Sequence, residues 1–133
     1  MFSKVYSTTI TGITAYVVTV EVDVGRGLPV FDMGGYLSTE VKEAKERVRI
    51  ALRNSGYEQK PRRITVNISP ADIHKYGTGF DLPIAIGILG AQDEVNMTAF
   101  EDMVIIGELS LDPTRWVMFS ICAKTIWATE AVL

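Results

Sequence analysis

The sequence predicts an α+β fold in which a mixed, mainly antiparallel sheet is covered by two or three helices. Residues 16–24 and 64–69 alternate apolar and polar side chains with a period of two, which is typical of half-buried strands. Residues 38–55 and 81–89 instead repeat apolar side chains at helical spacing. Since both patterns occur within 133 residues, we expect one domain with its helices packed on a single sheet.

Three strand patterns open the chain. They cover residues 4–11, 16–24 and 30–33, and glycines punctuate the segments between them. The second strand places alternate valines on one face, which is therefore predicted to be buried. Because short glycine turns join the three strands, we expect them to form an antiparallel meander.

A helix is predicted from Ser38 to Ser55. Ser38 or Thr39 is suited to cap its start, and Gly56 is suited to the position after its end. Its apolar stripe consists of Val41, Ala44, Val48, Ala51 and Leu52. Acids and bases are interleaved on the opposite face, which favours a solvated surface over a nucleic-acid patch.

The most informative stretch is residues 64–89. Its strand pattern should stop before Pro70, which cannot extend a central strand. A loop with Gly77 and Gly79 follows, and then an apolar helix that should be buried on most of its surface. Asp81 is expected to cap the first turn of that helix with its side chain.

A strand, a glycine loop and a helix N-terminus together form a potential anion site, because free N–H groups and the helix dipole meet there. Neither GxxxxGK[ST] nor GxGxxG occurs in the chain, so a tight turn feeding a core helix is favoured over a ligand cradle. Tyr57 and Tyr76 are the aromatic residues near enough in sequence to stack on bases. The candidate contacts for nucleic acid or an anion are Lys60, Arg62, Arg63, Lys75, Gly77 and Gly79.

Composition narrows the classes of site and location. With Cys122 as the only cysteine and His74 as the only histidine, neither a disulfide framework nor a cysteine–histidine metal cluster can form. The net charge of −3 exerts no general attraction on phosphates. No apolar run reaches transmembrane length, so we expect a cytoplasmic protein without membrane contact.

Few side chains suggest acid–base chemistry. His74 is interpreted as a solvated or hydrogen-bonded loop residue, although its ordinary pKa would permit proton transfer. Asp72 and Asp81 could act as an acid–base pair, but the capping role already explains Asp81. Glu108 fits either a buried structural carboxylate or a surface residue. Cys122 is expected to behave as a small hydrophobic residue.

Three blocks of the chain, in this order, carry a family resemblance: GLPVFDMGGYLSTEVKEAKERVRIALRNSGY, RRITVNISPADIHKYGTGFDLPIAIGIL and IGELSLD. From about Val5 to Asp112 the chain resembles the N-terminal domain of magnesium-chelatase-like ATPases of the YifB/ComM type. The resemblance implies a ribosomal protein S5 domain 2-like fold, which Lon-type proteases share. It also implies two regions, the family domain over residues 1–112 and a divergent tail over residues 113–133. We predict the tail to be helical.

In that family this domain precedes an AAA+ ATPase module, and the ComM branch handles DNA during natural transformation. The sequence holds no phosphate loop, so we expect ATP and Mg²⁺ only in the module that this sequence lacks, and no cofactor here. The resemblance therefore implies a non-catalytic accessory domain that contacts another copy or the AAA+ module of the parent protein. An alternative is a nucleic-acid-binding module, with DNA held at a basic corner around Arg62, Arg63 and Lys75.

The fold shared with Lon-type proteases raises a third interpretation, a degenerate serine hydrolase. Those enzymes use a serine activated by a lysine, near the start of the helix that corresponds to residues 81–89. Here that turn reads GTGFDLP, and Thr78 is its nearest hydroxyl. Ser69, Ser110 and Lys124 occur without a spacing that singles them out. We therefore expect no enzymatic activity from this chain.

Overall fold

The computed structural model describes residues 1–58 and 60–112, together with the backbone of residues 119–122. In these ranges six strands form one sheet, two α-helices cover it, and a short 3-10 helix spans Met97–Phe100. The α+β class is therefore confirmed. The strands are β1 (Phe2–Thr11), β2 (Thr14–Gly25), β3 (Phe31–Gly34), β4 (Arg63–Ser69), β5 (Met103–Ile106) and β6 (Phe119–Cys122), and the helices are α1 (Thr39–Asn54) and α2 (Asp81–Ala91).

The sheet is mixed and mainly antiparallel, in the order β3-β4-β2-β1-β5-β6. The β1–β2, β2–β4 and β5–β6 pairs are antiparallel, whereas β1–β5 and β3–β4 are parallel. The long β1–β2 hairpin runs in register from Phe2 opposite Asp23 to Thr11 opposite Thr14. The turn that closes this hairpin follows Thr11, whereas the pairing of β2 with β4 reaches only Thr19 of β2. The closed end of the hairpin therefore extends beyond β4.

The predicted three-stranded meander is wrong at its third strand. β4 lies beside β2, and β3 pairs with the far edge of β4 in parallel, with Phe31 opposite Ile64. The physical reason is the length of the ladders. β2 and β4 align seven residue pairs, from Thr19–Ser69 to Gly25–Arg63, whereas β3 has only four residues to offer. The α1 crossover supplies the connection that a parallel β3–β4 pair requires.

The core lies between the sheet and the two helices. Alternate residues of β1, β2 and β4 point into it, and the predicted α1 stripe is buried throughout. Every residue of α2 is buried. Gly87 allows this close packing, because a Cβ atom there would lie 2.5 Å from Cγ2 of Val22 on β2. The Ser3 hydroxyl donates to the Gly87 carbonyl and ties β1 to the same helix.

The two helix starts differ. Ser38 caps α1 as predicted, and its hydroxyl accepts a hydrogen bond from the Val41 N–H at 3.4 Å. The capping role expected for Asp81 is wrong. Phe80 occupies the cap position of α2 and makes no side-chain cap. Asp81 is the first helical residue, and its carboxylate turns to an arginine on α1, because a charged donor binds a carboxylate more strongly than a neutral N–H does.

The helix predicted over residues 113–133 is wrong for the part that the structure describes. Residues 119–122 form β6, which pairs antiparallel with β5 from Met103–Cys122 to Ile106–Phe119. β5 offers one edge to β1, and its other edge needs backbone partners, which β6 supplies. The remainder of 113–133 lies outside the described residues.

Candidate functional site

The backbone N–H groups of the first helical residues of α2 are not free for an anion. The N–H groups of Asp81, Leu82 and Ile84 donate to backbone carbonyls at 3.4, 3.0 and 3.0 Å, and Pro83 has none to offer. A helix start binds anions through unpaired N–H groups, and these are already paired. The glycine bend before α2 is therefore a turn that feeds a core helix, as the sequence favoured, and Gly77 and Gly79 serve its backbone geometry.

Asp81 forms a buried ion pair with Arg47 of α1. The Nε of Arg47 lies 2.7 Å from Oδ2 of Asp81 and its Nη2 lies 3.0 Å from Oδ1, in a bidentate arrangement. The Leu109 N–H also donates to Oδ2, at 3.2 Å. Burial raises the pKa of the Asp81 carboxyl, while Arg47 and the Leu109 N–H oppose that rise. The pair joins the two helices to the segment that follows β5.

Lys75 is buried, not part of a surface patch. Its side chain is fully shielded from solvent, and its Nζ donates to the carbonyls of Gly35, at 2.6 Å, and Pro70. Burial lowers the pKa of this amine, and the charge of Asp72 opposes the change. Lys75 therefore joins two backbone segments in the interior and does not reach a ligand at the surface.

The segment after β5 lies across the glycine bend. The Gly107 N–H donates to the Gly79 carbonyl at 2.9 Å. The Thr78 hydroxyl donates to Oε2 of Glu108 at 3.1 Å. A Cβ atom at Gly79 would lie 2.8 Å from Cγ2 of Ile106, so glycine is needed for this approach. Thr78, the hydroxyl nearest the position of the Lon-type serine, is thus bonded to a carboxylate.

The other candidates for acid–base chemistry are separated. His74 is exposed, with its ring centroid 4.7 Å from that of Tyr36 and 6.1 Å from that of Tyr76. Asp72 is exposed and acts on Lys75, whereas Asp81 is buried against Arg47. The structure therefore does not assemble Asp72 and Asp81 as an acid–base pair. The side chains of Cys122 and Lys124 lie outside the described residues.

A surface groove of about 350 Å³ gathers four cationic side chains. Arg49 and Arg53 lie one turn apart on α1, and Lys60 and Arg62 come from the segment that leads into β4. We call this the basic groove. No acidic residue is among its lining residues, and its apolar lining consists of Pro29, Val30, Phe31, Pro61 and Ile64.

The basic corner expected from the sequence is not assembled. Lys60 and Arg62 line the basic groove, but Arg63 pairs with Asp32 at 3.3 Å and is not among the groove's lining residues. Lys75 is buried next to Pro70, at the opposite end of β4, which spans about 20 Å at the usual rise per strand residue. Tyr57, which was expected to stack on bases, packs against the core instead.

Sequence reasoning missed Arg49 and Arg53 as site residues. Both were assigned to a solvated helix face, because acids alternate with them along α1. In the folded protein, these two arginines of that face lie opposite the segment before β4 and line the groove with it. The sequence signal for these two residues is their spacing of four, which places both side chains on one face of the helix. That spacing points to a site only when the segment opposite the face is known.

The closed end of the β1–β2 hairpin is an uncharged, exposed surface. All seven residues from Ile10 to Tyr16 are exposed, and Ile13 is as exposed as in an open chain, at 105%. We call this segment the hairpin tip. The Tyr76 hydroxyl donates to the Ile10 carbonyl and fixes the base of the tip to the loop before the glycine bend.

Mg²⁺ and ATP are the ligands that the family resemblance implies for the ATPase module. The sequence has no phosphate loop, and within residues 1–58 and 60–112 no three histidine, cysteine or acidic side chains cluster to hold a metal. Across the described part of the chain, no helix combines the length and apolar character needed to cross a bilayer.

Comparison of the sequence with known proteins shows its family. The family model described as subunit ChlI of Mg-chelatase matches residues 20–129. The chain belongs to the magnesium-chelatase-like YifB/ComM family. It is 43% identical over 109 residues to YifB of Escherichia coli and 45% identical over 107 residues to the competence protein ComM of Haemophilus influenzae. The protein Rv2897c of Mycobacterium tuberculosis is 32% identical over 124 residues.

These alignments cover most of this YifB/ComM-family chain but a small part of each relative. They include 82%, 80% and 90% of the chain, and 22%, 21% and 25% of YifB, ComM and Rv2897c respectively. The chain thus spans about a fifth to a quarter of the length of these relatives. The family-model match over residues 20–129 contains the second half of β2, both helices and the residues that line the basic groove.

Proposed function

We propose that this chain is a non-catalytic accessory domain of a magnesium-chelatase-like ATPase linked to DNA processing, and that it acts by protein–protein contact. The relationship to YifB and to the competence protein ComM supports the setting. The observation that carries the contact role is the hairpin tip, which exposes two isoleucines and a tyrosine without a charge over residues 8–17. Exposed apolar surface of this kind typically belongs to an interface.

The polar groups around the glycine bend support a role without catalysis. Lys75 is engaged by two carbonyls, Asp81 by Arg47, and Thr78 by Glu108. A nucleophile needs an adjacent base within hydrogen-bond reach, and Lys75 directs its amine to backbone oxygens instead. These contacts favour the accessory domain over the degenerate hydrolase.

The partner that we propose for the hairpin tip is a second copy of the chain. The protein has a net charge of −3, so two copies repel each other over much of their surface. The tip avoids this repulsion, because Thr8 to Val17 carry no ionisable group except Tyr16. Two hairpin tips can therefore bury Ile10 and Ile13 against each other without bringing charges together.

We also propose that the fold is the S5 domain 2-like fold. Its support is the element order, with three strands, a helix, a strand and a second helix, and the packing of α2 on β1, β2 and β5 with α1 against α2. Superposition of an experimental structure on a Lon-type protease domain tests this assignment, and different strand connectivity would refute it.

Sedimentation velocity at several protein concentrations tests the contact role. We expect the wild type to self-associate and Ile13→Asp to remain monomeric, because a carboxylate at the tip would be desolvated on association. Ala99→Asp is the matched control. It adds the same charge at an exposed position of the 3-10 helix, near the opposite end of β1. A wild type that stays monomeric at all concentrations, or equal losses in both variants, would refute the role of the tip.

A further inference from the structure

We propose that the basic groove binds single-stranded nucleic acid, with backbone phosphates on its four cations and bases over its apolar lining. Arg49, Arg53, Lys60 and Arg62 surround the groove, and all four are exposed. The remaining lining residues are apolar. A cationic track beside apolar and aromatic surface is the combination that single-strand-binding proteins use.

Among the described residues, little neutralises the cations of the groove, which are therefore available. Arg49 makes a long contact with Glu46 at 3.5 Å, between side chains that are more than half exposed. Such an exposed pair contributes little and does not prevent a phosphate from taking its place. On their other side, Lys60 and Arg62 border a second cavity that also includes Glu58 and Glu94. The acids therefore lie behind the cations and not in the groove.

The shape of the groove favours a single strand over a duplex. Proteins usually read duplex DNA with a helix or ribbon that protrudes into the major groove. Here the cations line a concavity of about 350 Å³ between α1 and the segment before β4. Half-buried Phe31 is the aromatic residue of its lining, placed to contact a base that has left the stack.

Arg63 provides an internal contrast. It follows Arg62 in sequence and has the same charge, but it pairs with Asp32 at 3.3 Å and does not line the groove. If the groove is the site, loss of Arg62 must weaken binding and loss of Arg63 must not. If cationic charge alone attracts nucleic acid, the two losses must be equivalent.

Fluorescence anisotropy with a labelled oligothymidylate of about ten nucleotides, within the usual site size, tests the proposal at low salt. We expect Arg49→Ala/Arg62→Ala to bind roughly tenfold more weakly than the wild type, and Arg63→Ala to remain within about twofold. With two phosphate contacts removed, the slope of log affinity against log salt should fall by about 1.4. No binding by the wild type, or equal losses in the two variants, would overturn the proposal.

Further ligands distinguish the kinds of recognition. An abasic oligonucleotide should bind more weakly than oligothymidylate, and inorganic phosphate should compete only at much higher concentration. A duplex that binds more tightly than the single strand would refute single-strand binding. Polyglutamate that binds as well as the oligonucleotide, through the same arginines, would instead identify an acidic peptide as the ligand and overturn the proposal.

Loss of binding by Arg49→Ala/Arg62→Ala is informative only if that variant folds. Circular dichroism and thermal unfolding establish that Arg49→Ala/Arg62→Ala is folded, and Arg49→Lys/Arg62→Lys keeps the charge and should recover most of the binding. Ile13→Asp should bind the oligonucleotide like the wild type monomer, because the hairpin tip is separate from the groove. If the chain does not bind nucleic acid, the proposed contact role of the hairpin tip is unaffected. If the chain does not self-associate through the tip, the proposed role of the basic groove is unaffected.

Discussion

Arg47 of α1 and Asp81 of α2 are joined by a bidentate ion pair, with Nε 2.7 Å from Oδ2 and Nη2 3.0 Å from Oδ1. The Asp81 side chain is fully buried, whereas Arg47 is 23% exposed. The Leu109 N–H completes the coordination of the carboxylate. The two helices and the segment after β5 therefore depend on one buried charge, whose compensation comes mostly from a single arginine.

Replacement of Arg47 by methionine should destabilise the protein by about 3–5 kcal/mol, because Asp81 would remain buried without its charged partner. Urea unfolding followed by circular dichroism measures the loss. Arg53→Met removes an exposed arginine from the same helix and should change stability by less than about 0.5 kcal/mol. Adding Asp81→Leu to Arg47→Met should recover part of the loss. Equal effects of Arg47→Met and Arg53→Met would contradict the importance of the pair.

Gly87→Ala should destabilise the protein by about 1–3 kcal/mol, because the new methyl group overlaps a packed side chain. The added Cβ would lie 2.5 Å from Cγ2 of Val22, on a central strand that cannot move freely. Gly90→Ala is the matched change in the same helix. Its Cβ would meet Met97, whose flexible thioether can move aside, so its cost should be smaller. Thermal unfolding compares the two variants, and a larger loss for Gly90→Ala would refute the explanation.

Lys75 should make stability depend on alkaline pH. Burial lowers the pKa of its amine from the ordinary value of 10.5. Between the lowered pKa and 10.5 the unfolded chain binds more protons than the folded chain, so this contribution to folding stability rises with pH. Below the lowered pKa both states bind the proton, so the contribution stays constant at its lowest value there. The unfolding free energy of the wild type minus that of Lys75→Met should therefore increase from neutral pH toward pH 10.5.

Chemical denaturation at several pH values between 7 and about 10.5 measures this difference, over the window set by the pKa of the amine. Lys45→Met serves as the control, since it removes an exposed amine that is solvated in both states. A flat difference for Lys75→Met, or the same rise for Lys45→Met, would contradict the effect of burial.

Most of the secondary structure could be predicted because the spacing of apolar residues along the sequence shows which side of each strand or helix is buried. Alternation over residues 64–69 identified β4, and the five-residue apolar stripe identified α1 with the faces that each buries. The apolar run after Asp81 identified a helix buried on most of its surface, and every residue of α2 is in fact buried. These signals are local, so one sequence is enough to recognise them.

What the sequence could not predict depends on contacts between distant segments. The partner of β3 was misassigned because short turns usually join strands that pair with each other. In the structure β2 pairs with β4 through the longer ladder, and β3 pairs with the other edge of β4. Lys75 was expected at the surface because lysine usually lies there, and one of its two carbonyl partners, Gly35, lies 40 residues earlier in the chain. The basic groove was missed because α1 and the segment before β4 become opposite walls only after folding.

The place of β1 in the sheet has a consequence for synthesis on the ribosome. β1 pairs with β2 at once, but its other neighbour is β5, with Tyr6 beside Val104 and the Ser7 hydroxyl bonded to the Ile105 carbonyl at 2.8 Å. At translation rates of about 5–20 residues per second, the intervening chain takes roughly 5–20 s to emerge. During that interval the nascent hairpin presents an open strand edge. A chaperone that binds nascent chains would find its target there.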